Sequence, residues 1–388
     1  MKPEEPEIGR SYWVKLRDDS WHGAEIVQIR SVHGANANQY YVHFKGLNRR
    51  FDEWIHKSRI NLEKTYTDVS EEDESRKFTR NLKRRHDEMQ HGGAHAELDP
   101  VEKEYEALTS VKFISTVQLG RYEIDAWYYS PYPDSNISSA TDKLWVCEYC
   151  LKYMRREDTY RYHLYACKAR QPPGQCEIYR HDTLSVYEID GRDHKLYSQN
   201  LCLLAKLFLD HKTLYWDVEP FLFYVLCEVD RSGAHLVGYF SKERSSPEHN
   251  TLACILVFPP FQRKGYGRFL IDLSYELAAR EGIIGSPEKP LSDLGRRSFR
   301  SHWAYLIVNA LQHCKESSLS VAQIVEATGI ATCDVVASLH ALNLVKYWRG
   351  QHVICVSPKV LSQLITLVKP PRITLNKEGL RWGPASKS

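Results

Sequence analysis

The stretch from Cys254 to Glu288 constrains this chain more than any other. An apolar, β-prone run, Thr251 to Phe258, stops at Pro259-Pro260. A basic turn with two glycines follows, Gln262-Arg-Lys-Gly-Tyr-Gly-Arg268, and then a helix-like segment, Phe269 to Arg280. Strand, glycine turn and helix together build an anion site, because free backbone N–H groups and the helix dipole both point at the ligand. Gly265 and Gly267 let the backbone approach closely or take positive φ. Arg263, Lys264 and Arg268 add charge suited to phosphates. The turn has neither the Gly-Lys-Ser/Thr ending of a Walker A loop nor the G-x-G-x-x-G dinucleotide fingerprint. It predicts a site for a pyrophosphate-bearing cofactor, against the simpler reading of a glycine turn capping a core helix.

At 388 residues the chain has room for two or three domains, and 26% charged with 43% hydrophobic residues fits a globular protein. No apolar run approaches the length of a membrane span, and Met-Lys-Pro-Glu-Glu-Pro-Glu is no signal peptide, so an intracellular protein without membrane contact is expected. Ten cysteines without a disulfide-like spacing suit reduced thiols plus a metal site. A net charge of +3 does not by itself argue for nucleic acid.

From Ile8 to Leu62 the pattern is that of a small all-β module, with alternating runs at Tyr12–Leu16, Trp21–Arg30, Gln39–Phe44 and Phe51–Ile55. Tyr12, Trp13, Trp21, Tyr40, Tyr41, Phe44, Phe51 and Trp54 either fill its core or offer a cation–π cage or stacking surface. Composition then shifts to an acidic cluster, Glu71–Glu74, and a basic segment, Arg76–His86, which reads as a linker. Its Lys83-Arg-Arg85 run is a nuclear-import or phosphate patch, or a solvated charge face. Apolar spacing resumes near Val111. Cys147, Cys150, His163 and Cys167 follow with the spacing C-x2-C-x12-H-x3-C, which suits a closed, structural zinc site. The helix carrying His163 also bears Tyr160, Tyr162, Leu164 and Tyr165 and is expected to dock on the neighbouring domain.

Three apolar runs with short links, Phe221–Val229, Leu236–Lys242 and Leu252–Val257, predict a central antiparallel sheet, with a strand at Leu184–Asp190 and a helix at Leu201–Leu209 before it. After Glu288 come a helix at Phe299–His313, two shorter helices at Val321–Thr328 and Cys333–Leu342 joined by Gly329, and strands at Leu344–Trp348 and His352–Val356. This order resembles a winged helix. The second short helix has no Arg or Lys, so it reads as a packing and groove element.

The turn Gln262-x-x-Gly265-x-Gly267 resembles the acetyl-CoA loop of GNAT-like acetyltransferases. Together with Gly285-Ser-Pro-Glu-Lys-Pro-Leu-Ser-Asp-Leu-Gly295, it resembles the catalytic core of the MYST histone acetyltransferases. The segment Tyr41 to Trp54 is similar to the chromo-barrel that precedes that core in some members. Phe44 to Trp54 and Val345 to Val356 resemble the MOF (males-absent-on-the-first) branch, while the Tip60 branch shares most core motifs. The resemblance implies an α+β protein: a chromo-barrel at 8–64, a charged linker at 65–110, and a zinc-finger part at 111–180. An acetyl-CoA-binding core at 181–300, a helix-turn-helix-like part at 301–370 and a tail at 371–388 follow. It further implies acetyl transfer to histone tails or nucleosomes, chiefly the sixteenth-residue lysine of histone H4, inside larger nuclear chromatin complexes. RNA or methyl-lysine binding is implied for the barrel. A chromatin adaptor with an inactive core is the rival reading; such a scaffold has no need of Glu288 or the loop glycines, and both are present.

Residue by residue, the resemblance assigns Ile255 and Val257 to the pantetheine arm and Arg263 to Arg268 to the pyrophosphate. Ser292 falls near the thioester and Lys212 at a self-acetylated position, against the alternative of an exposed lysine without a role. Val257 and Arg268 stand where Thr and Lys are more usual. Acetylating a lysine amine, whose pKa is about 10.4 in solution, requires a base. Glu288, raised toward neutrality by burial, fits that role. Cys254 has apolar neighbours and no histidine beside it in sequence, which favours direct attack on acetyl-CoA over a Cys254 acyl-enzyme.

Overall fold

The computed structural model describes residues 5–31, 38–66, 109–133, 143–174, 176–314, 319–348, 351–354 and 356–383. The linker patch Lys83–Arg85 lies outside them. The chain forms two compact units, Met1–Val117 with Asp125–Lys143, and Gln118–Ile124 with Leu144–Ser388.

The first unit holds an antiparallel sheet of five strands, β1 (Ser11–Lys15), β2 (Trp21–Ser31), β3 (Asn38–Phe44), β4 (Glu53–His56) and β5 (Ile60–Thr65), in the order β4-β3-β2-β1-β5. Register shifts between Ile26 and Gln28 and between Tyr12 and Trp13 bend it, since bulges increase local twist. Tyr12, Tyr40 and Phe44 are in its core with Val14, Ile26, Val42 and Ile55. The aromatics therefore divide. Tyr12, Tyr40, Tyr41 and Phe44 are buried, whereas Trp21 and Phe51 are exposed. The Trp54 ring already carries the Arg30 guanidinium 4.3 Å from its centroid, and the Tyr66 ring carries Lys45 at 5.3 Å. Phe51, expected in a strand, lies instead in a 3-10 turn, Arg49–Phe51, capped by Asn48. The fifth strand was not expected, because a second 3-10 turn, Lys57–Arg59, hides its alternation.

The second unit is built on an antiparallel sheet of β10 (Glu177–His181), β11 (Leu184–Asp190), β12 (Phe221–Val229), β13 (Ala234–Glu243) and β14 (Ile255–Val257), ordered β10-β11-β12-β13-β14. A small sheet, β7-β6-β8-β9, comprises β6 (Thr116–Leu119), β7 (Tyr122–Asp125), β8 (Lys143–Val146) and β9 (Tyr153–Met154). The helices are α1 (Glu157–Ala166), α2 (Lys195–Lys206), α3 (Tyr266–Arg280), α4 (Asp293–His313), α5 (Val321–Thr328), α6 (Thr332–Ala341) and α7 (Pro358–Leu367); β15 (Val345–Trp348) pairs with β16 (Gln351–Ile354). Helix α3 packs on β13 and β14, and α4 touches α3, α5, α6 and α7. A capping box of Ser320 and Gln323 starts α5, and Gly329 at φ +69° ends it, so the two-helix turn forms where the sequence places it.

Two expectations are overturned by the structure. Only Tyr160 of the α1 face is buried, against Trp145 at 5.3 Å. Tyr162 and Tyr165 are 75% and 92% exposed, so this helix does not dock through them. The run Thr251–Phe258 enters the sheet only at Ile255–Val257. The tail, for which the sequence offers no structural reading, is bound to the sheet: Arg381 N–H donates to the Ile178 carbonyl at 2.7 Å, Trp382 Nε1 donates to Glu188 at 2.7 Å, and Leu380 bridges Tyr179 on strand β10. Phe269, fully buried on α3 and 5.2 Å from the Tyr179 ring, tests the core. Phe269→Ala is expected to cost about 3–5 kcal/mol in denaturant unfolding, and Tyr162→Ala less than about 0.5 kcal/mol.

Candidate active site and metal centre

Cys254 is placed by a break in the ladder. Ser241 N–H donates to the Cys254 carbonyl (2.8 Å) while Ala253 N–H donates to the Ser241 carbonyl (2.7 Å), so two residues face one, the geometry of a bulge. The Ser241 hydroxyl accepts the Cys254 N–H at 3.2 Å. Beyond the bulge, β14 is the last strand of its sheet, leaving backbone groups on one side without a ladder partner among the described residues.

Glu288 is registered against the same segment. Thr251 N–H donates to the Ser286 carbonyl and Glu288 N–H to the Leu252 carbonyl, each at 2.9 Å. Gly285 starts this loop, and a Cβ there would lie 2.2 Å from the His249 carbonyl oxygen, so only glycine permits the approach. The two stretches close a pocket of ≈ 120 Å³ whose walls include Cys202, Lys212, Phe223, Ser241, Cys254 and Glu288. Glu288 is exposed, not buried as its expected role as a base suggested; partial desolvation and the charges of Glu243 and Glu248 still raise its pKa above the usual carboxylate value, while Lys212 pulls it down. Lys212 is not the exposed lysine considered above. It is only 7% exposed, with Nζ 3.7 Å from the Cys254 Sγ. Burial opposes its ammonium, but the Cys202 and Cys254 sulfurs outweigh that and leave its pKa raised.

The basic turn follows β14. Gln262 Nε2 donates to the Val257 carbonyl at 2.9 Å and folds the turn back on the strand. Gly265 is the N-cap of α3 at φ +111°, with no side-chain cap on the free N–H groups of the first turn. A Cβ on Gly267 would meet Val257 at 3.8 Å, so packing does not demand glycine there, whereas one on Gly265 would lie 3.1 Å from Arg372 and 3.3 Å from Ile373. Arg263 and Lys264 flank the turn, with Lys264 5.4 Å from the Phe261 ring. Arg268 is placed differently from the expectation: it donates to the Lys369 carbonyl (2.8 Å) and lies 4.6 Å over Tyr305. Ser292 caps α4, accepting the Gly295 N–H at 3.1 Å. Ile255 and Val257 sit on the edge strand.

The metal ligands converge. The turn between β8 and β9 presents Cys147 and Cys150, and α1 supplies His163 and, as its C-cap, Cys167. Their ligand atoms lie within 4.8 Å of one another, Cys150 Sγ being 3.3 Å from His163 Nε2. Three thiols and an imidazole at such separations fit tetrahedral zinc.

Sequence reasoning missed Ser241, Asp334 and the role of Gln262. Asp334 bonds Ser286 and Lys289, 48 and 45 residues away in sequence, and no local pattern announces such a pairing.

The pocket thus holds a carboxylate of raised pKa, with an edge strand and an uncapped helix N-terminus on the segment that leads to it. The model of the MOZ/SAS family matches residues 171–380, that of the MYST family zinc finger domain residues 111–167, and that of the RNA binding activity-knot of a chromodomain residues 7–62. The chain is 42% identical to histone acetyltransferase MOF of Drosophila melanogaster, covering 96% of this chain but 52% of that protein. It is 46% identical to putative MYST-like histone acetyltransferase 1 of Oryza sativa subsp. japonica (97% and 85% covered) and 40% identical to the Tip60 homolog of Caenorhabditis elegans (95% and 88%). The chain thus spans about half the length of the fruit-fly relative. It belongs to the MYST family of histone acetyltransferases, which take acetyl from acetyl-CoA.

Chelation at neutral pH, or Cys150→Ser, is expected to release the zinc, read by elemental analysis, and to lower the thermal midpoint. Zinc retained by Cys150→Ser would contradict the ligand set.

Proposed function

We propose that this chain transfers acetyl from acetyl-CoA to a lysine of histone tails, first the sixteenth-residue lysine of histone H4, with Glu288 as general base. The observation that carries the reading is Glu288 bonded into register with the Cys254 strand, with its pKa raised. Family membership supports histone substrates and a place in nuclear chromatin. The H4 preference rests on the branch-like segments Phe44–Trp54 and Val345–Val356 together with the identity to fruit-fly MOF. The rice and worm relatives match at comparable identity, so a broader, Tip60-like histone range is the second reading.

In the proposed reaction the pantetheine amides run along the free edge of β14 at Ile255 and Val257. The pyrophosphate meets the N–H groups from Gly265 to Arg268, with Arg263 and Lys264 beside them. Arg268 contributes its backbone, because its guanidinium is held by Lys369 and Tyr305. Ser292 orders the start of α4 behind the pocket. Glu288 takes the proton from the substrate ammonium, the freed amine attacks the thioester carbonyl, and the coenzyme leaves as a thiolate that picks up a proton. Cys254 and Lys212 form the wall opposite. Lys212 is a self-acetylation site in this reading, supported by its lining the same pocket as Cys254 and Glu288. The barrel and the wider chromatin complex supply binding, RNA or a methylated lysine being the barrel's ligand.

At saturating acetyl-CoA, Glu288→Gln is expected to lower kcat at least about 100-fold on histone H4 peptide, and Cys254→Ala less than about tenfold. A folded Cys254→Ala as inactive as Glu288→Gln would favour the acyl-enzyme route. Mass spectrometry of acetylated nucleosomes checks the substrate; label on polyamines and none on histones would overturn it.

A further inference from the structure

The loop that carries Glu288 is held on two sides. Leu252 and Thr251 bind it on the sheet side, and the hairpin of α5 and α6 binds it on the other. Ala331 N–H donates to the Gly285 carbonyl (3.1 Å), and Ile330 bridges Gly285. Asp334, in the first turn of α6, is 3% exposed, and its carboxylate is shared. One oxygen accepts the Ser286 hydroxyl at 2.5 Å and the other the Lys289 ammonium at 2.9 Å.

We propose that Asp334 is a positioning residue for the transfer: it ties down Ser286 and Lys289, which bracket Glu288, and keeps the Lys289 ammonium away from the base. The proposal rests on Glu288 being that base. A buried carboxylate is tolerated only when paired, and Lys289 and Ser286 provide the pairing. The consequence falls on Glu288, which precedes Lys289 in sequence. Lys289 lines the same pocket, so its ammonium, released from Asp334, would favour the charged form of the Glu288 carboxylate. The groups facing Glu288 are Glu243 at the end of β13, Glu248 in the loop after it and Lys212 from the loop after α2. Desolvation first and then the two carboxylates keep the Glu288 pKa up, Lys212 opposes them, and a further cation would act in the same direction as Lys212. Asp334 itself raises the Lys289 pKa against the effect of burial, consistent with a stable pair. Cys333 Sγ, 3.9 Å from the Lys289 nitrogen, is the remaining neighbour.

The test compares pH profiles of kcat/KM for the full chain, Asp334→Asn, Asp334→Asn with Lys289→Met, and Glu288→Gln. Asp334→Asn is expected to move the acidic limb about one unit to lower pH and to cut kcat about tenfold. KM for acetyl-CoA is expected to stay within about twofold, because the cofactor turn is untouched. Adding Lys289→Met is expected to return the limb to its original position; a merely structural role predicts no such return. Should Asp334→Asn fail to fold, Lys289→Met alone does not decide, because the unpaired Asp334 carboxylate is then itself a charge near the loop. Asp334→Ser with Lys289→Met is therefore measured beside Asp334→Ser: a limb lowered in the single variant and restored in the double supports sequestration, and an unmoved limb in the single variant overturns the proposal. An inactive Glu288→Gln with an unmoved limb in a folded Asp334→Asn overturns the positioning role alone. An active Glu288→Gln overturns the base assignment beneath it.

Discussion

The hydrogen bonds between Thr251–Leu252 and Ser286–Glu288 are what the active site depends on. They join a sheet edge to a loop more than thirty residues downstream, across the whole of the cofactor turn and α3. Without them, Cys254 and Glu288 are two side chains on separate surfaces. With them, one continuous segment brings together the strand edge, the glycine turn and Glu288, the parts that the proposed reaction uses. Gly285 is the steric condition for this closure, since any side chain there meets the His249 carbonyl.

The bulge at Ser241 serves the same end. Even in a regular ladder alternate residues of Thr251–Phe258 would point N–H and C=O away from β13, and the bulge changes which of them face the returning loop. Because the ladder breaks at Ala253–Cys254, the residues before it are free to bond Ser286 and Glu288, and those after it continue as the edge strand. The C-terminal segment then braces the turn from outside, with Arg372 Nη1 donating to the Arg263 carbonyl at 2.6 Å and Arg268 held on Lys369.

Much of this was legible in the sequence, and the limits have physical causes. Strand runs, the glycine turn, the helix caps and the metal spacing are local patterns, and the structure reproduces them at β12, β13, α3, α5 and the Cys147–Cys167 cluster. Burial of a polar side chain is not local. Lys212 reads as a surface residue between His211 and Thr213, yet it lies against Cys254 because the loop after α2 folds over the sheet. The reverse holds for Tyr162 and Tyr165, whose aromatic character suggested docking while the helix face carrying them stays exposed. Asp334 was invisible for the same reason as Ser241: its role is defined by partners far away in sequence.

The central claim is that Cys254 to Glu288 forms a single site in which Glu288 receives the lysine proton. A crystal structure of the chain with a lysine–coenzyme A bisubstrate conjugate tests it most directly. The account predicts the conjugate's lysine nitrogen within hydrogen-bond reach of the Glu288 carboxylate, about 2.6–3.2 Å or through one water, with the pantetheine on the free edge of β14. A nitrogen out of reach of Glu288, or a pantetheine arm lying away from β14, would contradict it.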